Sequence, residues 1–118
     1  SIALPEGGTT IGEYAFYNCT NLVNINIPSS TVLIKNVAFA GTNSLTDVYI
    51  TNLSDYCRIK FGSGTACPLN TDAYLNINGS RLTEFIVPED ITIVRFSAFY
   101  HNSNITNISI QQNKNYHN

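Results

Sequence analysis

From Leu22 to Ile27 apolar and polar side chains nearly alternate, and the phrase Leu-x-x-Ile-x-Ile returns along the chain in register with other apolar positions. One constant shift carries Ile11, Ala15, Phe16, Leu22, Ile25 and Ile27 onto Ile34, Ala38, Phe39, Leu45, Val48 and Ile50. A second, longer shift carries the same first copy onto Val94, Ala98, Phe99, Ile105, Ile108 and Ile110. Proline obeys both shifts, from Pro5 to Pro28 and from Pro5 to Pro88. Six matched positions in three copies identify an internal repeat. The alternating end of each copy has the period of a strand with every second side chain inward. A strand this short cannot bury its apolar face alone, so the copies are expected to stack in parallel. Three interior rows follow: Leu22, Leu45, Leu82 and Ile105; Ile25, Val48, Phe85 and Ile108; Ile27, Ile50, Val87 and Ile110. Pro28 and Pro88 fall just past the strand, where a missing N–H removes no ladder bond. The Ala-Phe pair marks a tight return turn, and Cys19, in register with Thr42 and Asn102, is expected to close it. The pattern predicts a β-rich solenoid of about four coils with parallel strands.

One coil is enlarged. The interval from Ile27 to Ile50 equals that from Val87 to Ile110, whereas the interval from Ile50 to Val87 is longer by more than half. The extra length lies between Asn52 and Ser80. Leu53, Tyr56, Cys57 and Lys60 have helical spacing, which predicts a helix of one or two turns with Asn52 as N-cap. Gly62-Ser63-Gly64-Thr65 reads as loop. Tyr74 to Leu82, with Asn78-Gly79 at its centre, predicts a hairpin feeding the next strand. The expected copies are 1–28, 29–51, 52–88 (enlarged) and 89–110, followed by a polar tail, 111–118.

The phrases Ile11-Gly-x-x-Ala15-Phe16-Tyr17-Asn18-Cys19-Thr20-x-Leu22 and Ile25-x-Ile27-Pro28 resemble the leucine-rich repeats of BspA-like surface proteins. The enlarged coil, from Tyr56 through Pro68-Leu69 to Gly79, is similar to an interruption common in such arrays. The resemblance extends to Ile110 and implies a leucine-rich-repeat solenoid in a secreted or cell-surface protein. It further implies adhesion to, or recognition of, a host or matrix protein or glycan. His101-Asn102 and Gln111 depart from the pattern, as in a degenerate terminal coil. A family this broad implies a mode of binding rather than a particular ligand.

Composition narrows the function classes. The 118 residues are 43% hydrophobic but only 12% charged, about half the usual ~25%. Asn, Thr and Ser carry the polarity instead. Six Lys and Arg against eight Asp and Glu leave no basic footprint, so nucleic acid is not an expected partner. No apolar run reaches the ~20 residues of a membrane span, so no direct membrane insertion is expected from this segment. Beginning at Ser1 and ending in a polar stretch, the chain reads as a fragment of something longer. Cys19, Cys57 and Cys67 show no CxxC pattern, so no metal site and no cofactor are expected. Cys57 and Cys67 either pair across the loop between them or stay unpaired and buried; ready burial of cysteine favours the second.

If the interior rows are structural, function belongs to the residues between them. One outward row is Asn24, Asp47, Glu84 and Asn107. Its neighbour is Asn26, Tyr49, Ile86 and Ser109, with Ala3 on the incomplete first strand, and a third is Val23, Thr46, Thr83 and Thr106. With rungs ~4.8 Å apart these rows form a continuous candidate ligand-binding face. Tyr49 beside Ile86 suits a contact hot spot; the alternative is cross-strand pairing that merely covers the sheet. Asp47 beside Glu84 has the makings of a glycosidase pair, but an open sheet solvates both carboxylates and shifts neither. Two carboxylates also fall short of a calcium shell. His101 and His117 have no triad partners at a recognisable spacing, and Gly62-Ser63-Gly64 lacks the lysine of a phosphate loop. Asn18, Asn52, Asn78, Asn104 and Asn107 head Asn-x-Ser/Thr sequons, which matter where secreted proteins are glycosylated. The reading is a non-enzymatic binding module of an adhesin, with a structural spacer as the alternative and a glycan-acting hydrolase last. Flanking repeats or a homo-oligomer are expected to cover the open sheet edges.

Overall fold

The computed structural model describes residues 2–4, 7–99, 102–109 and 115–117. Its elements in chain order are β1 (Ile2–Ala3), β2 (Thr10–Ile11), β3 (Asn24–Asn26), β4 (Leu33–Ile34), β5 (Asp47–Ile50), α1 (Leu53–Cys57), β6 (Lys60–Phe61), β7 (Tyr74–Ile77), β8 (Ser80–Leu82), β9 (Glu84–Ile86), β10 (Ile93–Arg95), β11 (Asn107–Ser109) and β12 (Asn115–His117). Among the described residues every pairing is parallel except that of the hairpin β7–β8.

The repeat builds two ladders. The first runs β1-β3-β5-β7, with β8 added antiparallel at its far edge. Ile25, Val48 and Leu75 stand opposite one another in it, and all three are fully buried. The second ladder is β2-β4-β6, with Ile11, Ile34 and Phe61 in register. Beyond the hairpin the pattern resumes as two separate pairs, β9 with β11 and β10 with β12.

The register corrects the interior rows expected across the enlarged coil. Val48 faces Leu75, whereas Phe85 faces Ile108. Likewise Ile50 faces Ile77 rather than Val87. The reason lies in how the additional residues divide. The stretch from Ile50 to Phe61, which contains α1, is longer than the matching stretch from Ile27 to Ile34. By contrast, Phe61 to Leu75 repeats the interval from Ile34 to Val48. That equality brings the first limb of the hairpin, not β9, against β5. Leu82, expected in the row of Leu22 and Leu45, is half-buried and faces Leu75 across the hairpin.

Local chemistry accounts for both inserted elements. The Asn52 side chain accepts from the Asp55 amide at 3.1 Å and caps α1, which buries Tyr56 and Cys57. Asn78 and Gly79 have φ of 53° and 80°, the left-handed pair that a two-residue hairpin turn requires. The return turns stack as well. Phe39 is fully buried and its ring lies on that of Phe16, centroids 5.1 Å apart. The amides of Phe16 and Asn18 donate to Ala38 and Ala40 carbonyls, and the Phe39 amide donates to Thr65. At the N-terminal end Ala15 is exposed and Phe16 half-buried. Cys19 lies in the first turn, its amide donating to Phe16. At the matching position of the next turn the Thr42 hydroxyl donates to the Phe39 carbonyl.

The last turns join the preceding ones through side chains rather than through the first ladder. The Tyr56 hydroxyl donates to the Ala98 carbonyl at 2.6 Å, and its ring meets Phe99. Asn102 donates to the carbonyls of Leu69 and Ala73. Cys57, Val87 and Ile91 form a second apolar cluster. No disulfide joins Cys19, Cys57 or Cys67, and the Cys67 thiol donates to the Ala98 carbonyl at 3.0 Å; burial pushes the Cys57 thiol up to about 11, with Asp90 adding to the shift. The segment expected as a polar tail includes β12, which lies parallel to β10. Pro5, His101, Ile110 and Gln111 lie outside the described residues.

Candidate functional site

Because the ladder alternates, burying Ile25, Val48 and Leu75 turns their neighbours to the other face. Asn24, Asp47 and Tyr74 form one cross-strand row there, and Asn26, Tyr49 and Asn76 the next. Ala3 pairs with Asn26 at the ladder's edge. Four of the expected face residues, Asn24, Asn26, Asp47 and Tyr49, are therefore together. Their expected neighbours across the enlarged coil are not those of the structure. Glu84, Ile86, Asn107 and Ser109 form a second, separate patch, with Glu84 opposite Asn107 and Ile86 opposite Ser109. Ile86 is 64% exposed. Asp47 is paired with Tyr74 rather than Glu84, and Tyr49 with Asn76 rather than Ile86. Neither the carboxylate pair nor the Tyr49–Ile86 contact exists at the expected rung.

Three residues that the repeat pattern passed over complete the first patch: Tyr74, Asn76 and Arg81. Arg81, on the second limb of the hairpin, reaches back to Asp47 with Nε to Oδ1 at 3.0 Å and Nη2 to Oδ2 at 3.1 Å. Its guanidinium also lies 4.1 Å from the centre of the Tyr74 ring, within cation–π range. Asn76 is only 4% exposed and donates to Asp47 Oδ1 at 3.0 Å and to the Tyr74 carbonyl at 3.1 Å. The Thr46 hydroxyl, with one proton to share, lies 3.0 Å from Asp47 Oδ2 and 3.2 Å from the Val23 carbonyl. The hydrogen bond from Arg81, followed by those from Asn76 and Thr46, holds the Asp47 carboxyl below its ordinary value against the opposing effect of burial. Such a carboxylate is a fixed acceptor at the centre of a network. The signal for these residues was in the hairpin itself. Tyr74-Leu75-Asn76-Ile77 repeats the polar-apolar alternation of Asp47-Val48-Tyr49-Ile50.

The third outward row has a structural use. Thr106 donates from both amide and hydroxyl to the Thr83 carbonyl, as Thr46 does to Val23. These threonines tie each rung to the one before it. Arg58 joins Asp55 and Asp90, with Ser54 also donating to Asp90, so that α1 is fastened to the loop before β10. Among the described residues no three His, Cys, Asp or Glu side chains gather where a metal ion would sit. Nor is any described helix long and apolar enough to cross a membrane.

At the end of the first patch the surface folds inward. Leu4, Asn26, Ile27, Pro28, Tyr49, Ile50, Thr51 and Asn78 line a recess of about 300 Å³. A second recess of about 240 Å³, bordered by Leu4, Ile11, Phe16 and Pro28, lies at the N-terminal end of the ladders.

Parallel strands in two ladders, with return turns that stack Phe16 on Phe39, are what an internal repeat produces when its copies pile on one another. The family model described as BspA type Leucine rich repeat region matches residues 1–67 and 69–118 in six copies, and the chain belongs to that family. No curated protein and no solved structure matches it.

Proposed function

We propose that this chain is a non-enzymatic binding module of a cell-surface or secreted recognition protein, wound as a leucine-rich-repeat solenoid of about four coils. Its outward strand face contacts a protein or glycan of a host or matrix. The observation that carries this reading is the register of Asn24, Asp47 and Tyr74 beside Asn26, Tyr49 and Asn76. It gathers aromatic, amide and charged groups on one sheet surface. The clamp of Arg81 and Asn76 on Asp47 supports it, because a prearranged surface loses little conformational entropy when a partner docks. Family membership supports the same mode of use. Asp47 is engaged by the side chains of Arg81, Asn76 and Thr46 and has no second carboxylate at its rung, which weighs against a glycosidase.

Single substitutions test this, because the two patches lie on different sheets. Tyr49→Ser is expected to weaken adhesion of the chain to host cells or matrix while leaving its thermal unfolding nearly unchanged. Ile86→Ser reports on the second patch in the same assay. Undiminished adhesion in both variants would count against the face and favour a spacer.

A further inference from the structure

We infer that the recess beside Asn26 and Tyr49 is a subsite for an uncharged sugar ring, a neutral hexose or hexosamine derivative at the end of a glycan. The inference rests on the proposed binding role of this face and names the class of ligand that one part of it takes. Its first ground is size and shape. At about 300 Å³ the recess is at the lower limit of small-molecule sites, suited to one ring rather than an extended chain. Its second ground is charge. None of the described lining residues is ionisable to a charged form at neutral pH, although Arg81 and Asp47 stand close by on the same face. Those two are paired with each other, and neither lines the recess.

The third ground is the hydrogen-bond inventory. Asn76, Asp47 and Arg81 are committed to internal bonds. The side chains of Asn26, Tyr49, Thr51 and Asn78 make no hydrogen bond to any described residue. Two amides and two hydroxyls supply donors and acceptors in both senses, which matches sugar hydroxyls that also do both. The rest of the lining is apolar: Leu4, Ile27, Pro28 and Ile50. A pyranose likewise combines hydroxyls around its edge with C–H groups on its faces. The Tyr49 ring, half-buried between Asn26 and Asn76, combines both characters. A small anion would find no cation in this lining.

The test is a two-dimensional amide NMR titration of the intact chain with methyl glycosides of glucose, galactose and mannose and with N-acetylglucosamine and N-acetylgalactosamine. Sialic acid and glucosamine serve as charged comparators. At least one neutral sugar is expected to move the amides around Asn26, Tyr49, Thr51 and Asn78 saturably, with an affinity on the order of millimolar, as befits about a dozen heavy atoms. Thr51 is exposed, so Thr51→Trp fills the recess without replacing a buried side chain and is expected to weaken that binding at least about tenfold. Asn26→Ala, also at an exposed position, is expected to weaken it in the same direction. Absence of a saturable shift with every neutral sugar at tens of millimolar overturns the subsite, as does tighter binding of either charged comparator. Adhesion assays on the same variants separate the two readings. If Thr51→Trp adheres normally while Tyr49→Ser does not, the subsite falls and the face stands.

Discussion

Arg81 holds Asp47 in a two-point grip from the far limb of the hairpin, at 3.0 and 3.1 Å. The arginine side chain is 52% exposed and the aspartate side chain only 13%. An exposed ion pair adds little stability, so the value of this one lies in fixing the hairpin to β5. The Asp47 carboxyl is held below its ordinary value, first by Arg81. Its stabilising contribution is therefore complete above the unfolded-state value of about 3.9 and is lost as the pH falls through the lower folded value. Asp90 is shifted in the same direction by Ser54 and Arg58, so the Asp47 part must be isolated by substitution. Urea unfolding across the acid range is expected to show wild type losing more stability below about pH 4 than Asp47→Asn does. Identical acid limbs would mean that the grip is absent in solution.

Phe39 marks where the return turns stack, fully buried with Phe16 on its ring. Phe39→Ala leaves a cavity and is expected to cost ~3–5 kcal/mol, read from chemical denaturation. Phe16→Ala, at a half-buried position on the open end, is expected to cost less. Equal effects would mean that the end turn is as well covered as the middle one.

Gly41 is confined by its backbone and by its neighbour. Its φ is +78°, and a Cβ there would overlap Asn18 Oδ1 and lie 3.2 Å from Asn18 Cα. Gly41→Ala is expected to cost at least about 1–2 kcal/mol from the left-handed backbone alone. Gly12→Ala meets nothing within 4 Å and is expected to leave the unfolding midpoint unchanged or slightly raised, since alanine restricts the unfolded chain. A pair of melting curves decides the matter.

Short-range chemistry made much of this structure legible from the residues alone. The alternation around Ile25 and Val48, the Asn52 cap and the Asn78-Gly79 turn depend on neighbours a few positions apart. The choice between Leu75 and Phe85 as the partner of Val48 does not. Both sit in alternating segments, and the decision rests on the second ladder, where two-residue strands such as Lys60–Phe61 carry almost no periodic signal. The candidate face was affected in the same way. Asn24, Asn26, Asp47 and Tyr49 were placed by alternation, while Tyr74, Asn76 and Arg81 entered only because the hairpin closes on β5. Glu84, Ile86, Asn107 and Ser109 kept their mutual register, since β9 and β11 are separated by the same interval as the regular copies β3 and β5.

The face as drawn depends on which strand lies beside β5, and interstrand NOEs in a uniformly labelled sample read this directly. Cross-strand contacts between Val48 and Leu75 and between Tyr49 and Asn76 are expected, together with a slowly exchanging Tyr74 amide bonded to the Thr46 carbonyl. Contacts linking Val48 to Phe85 and Tyr49 to Ile86 instead would dissolve both the Asp47 network and the sugar subsite.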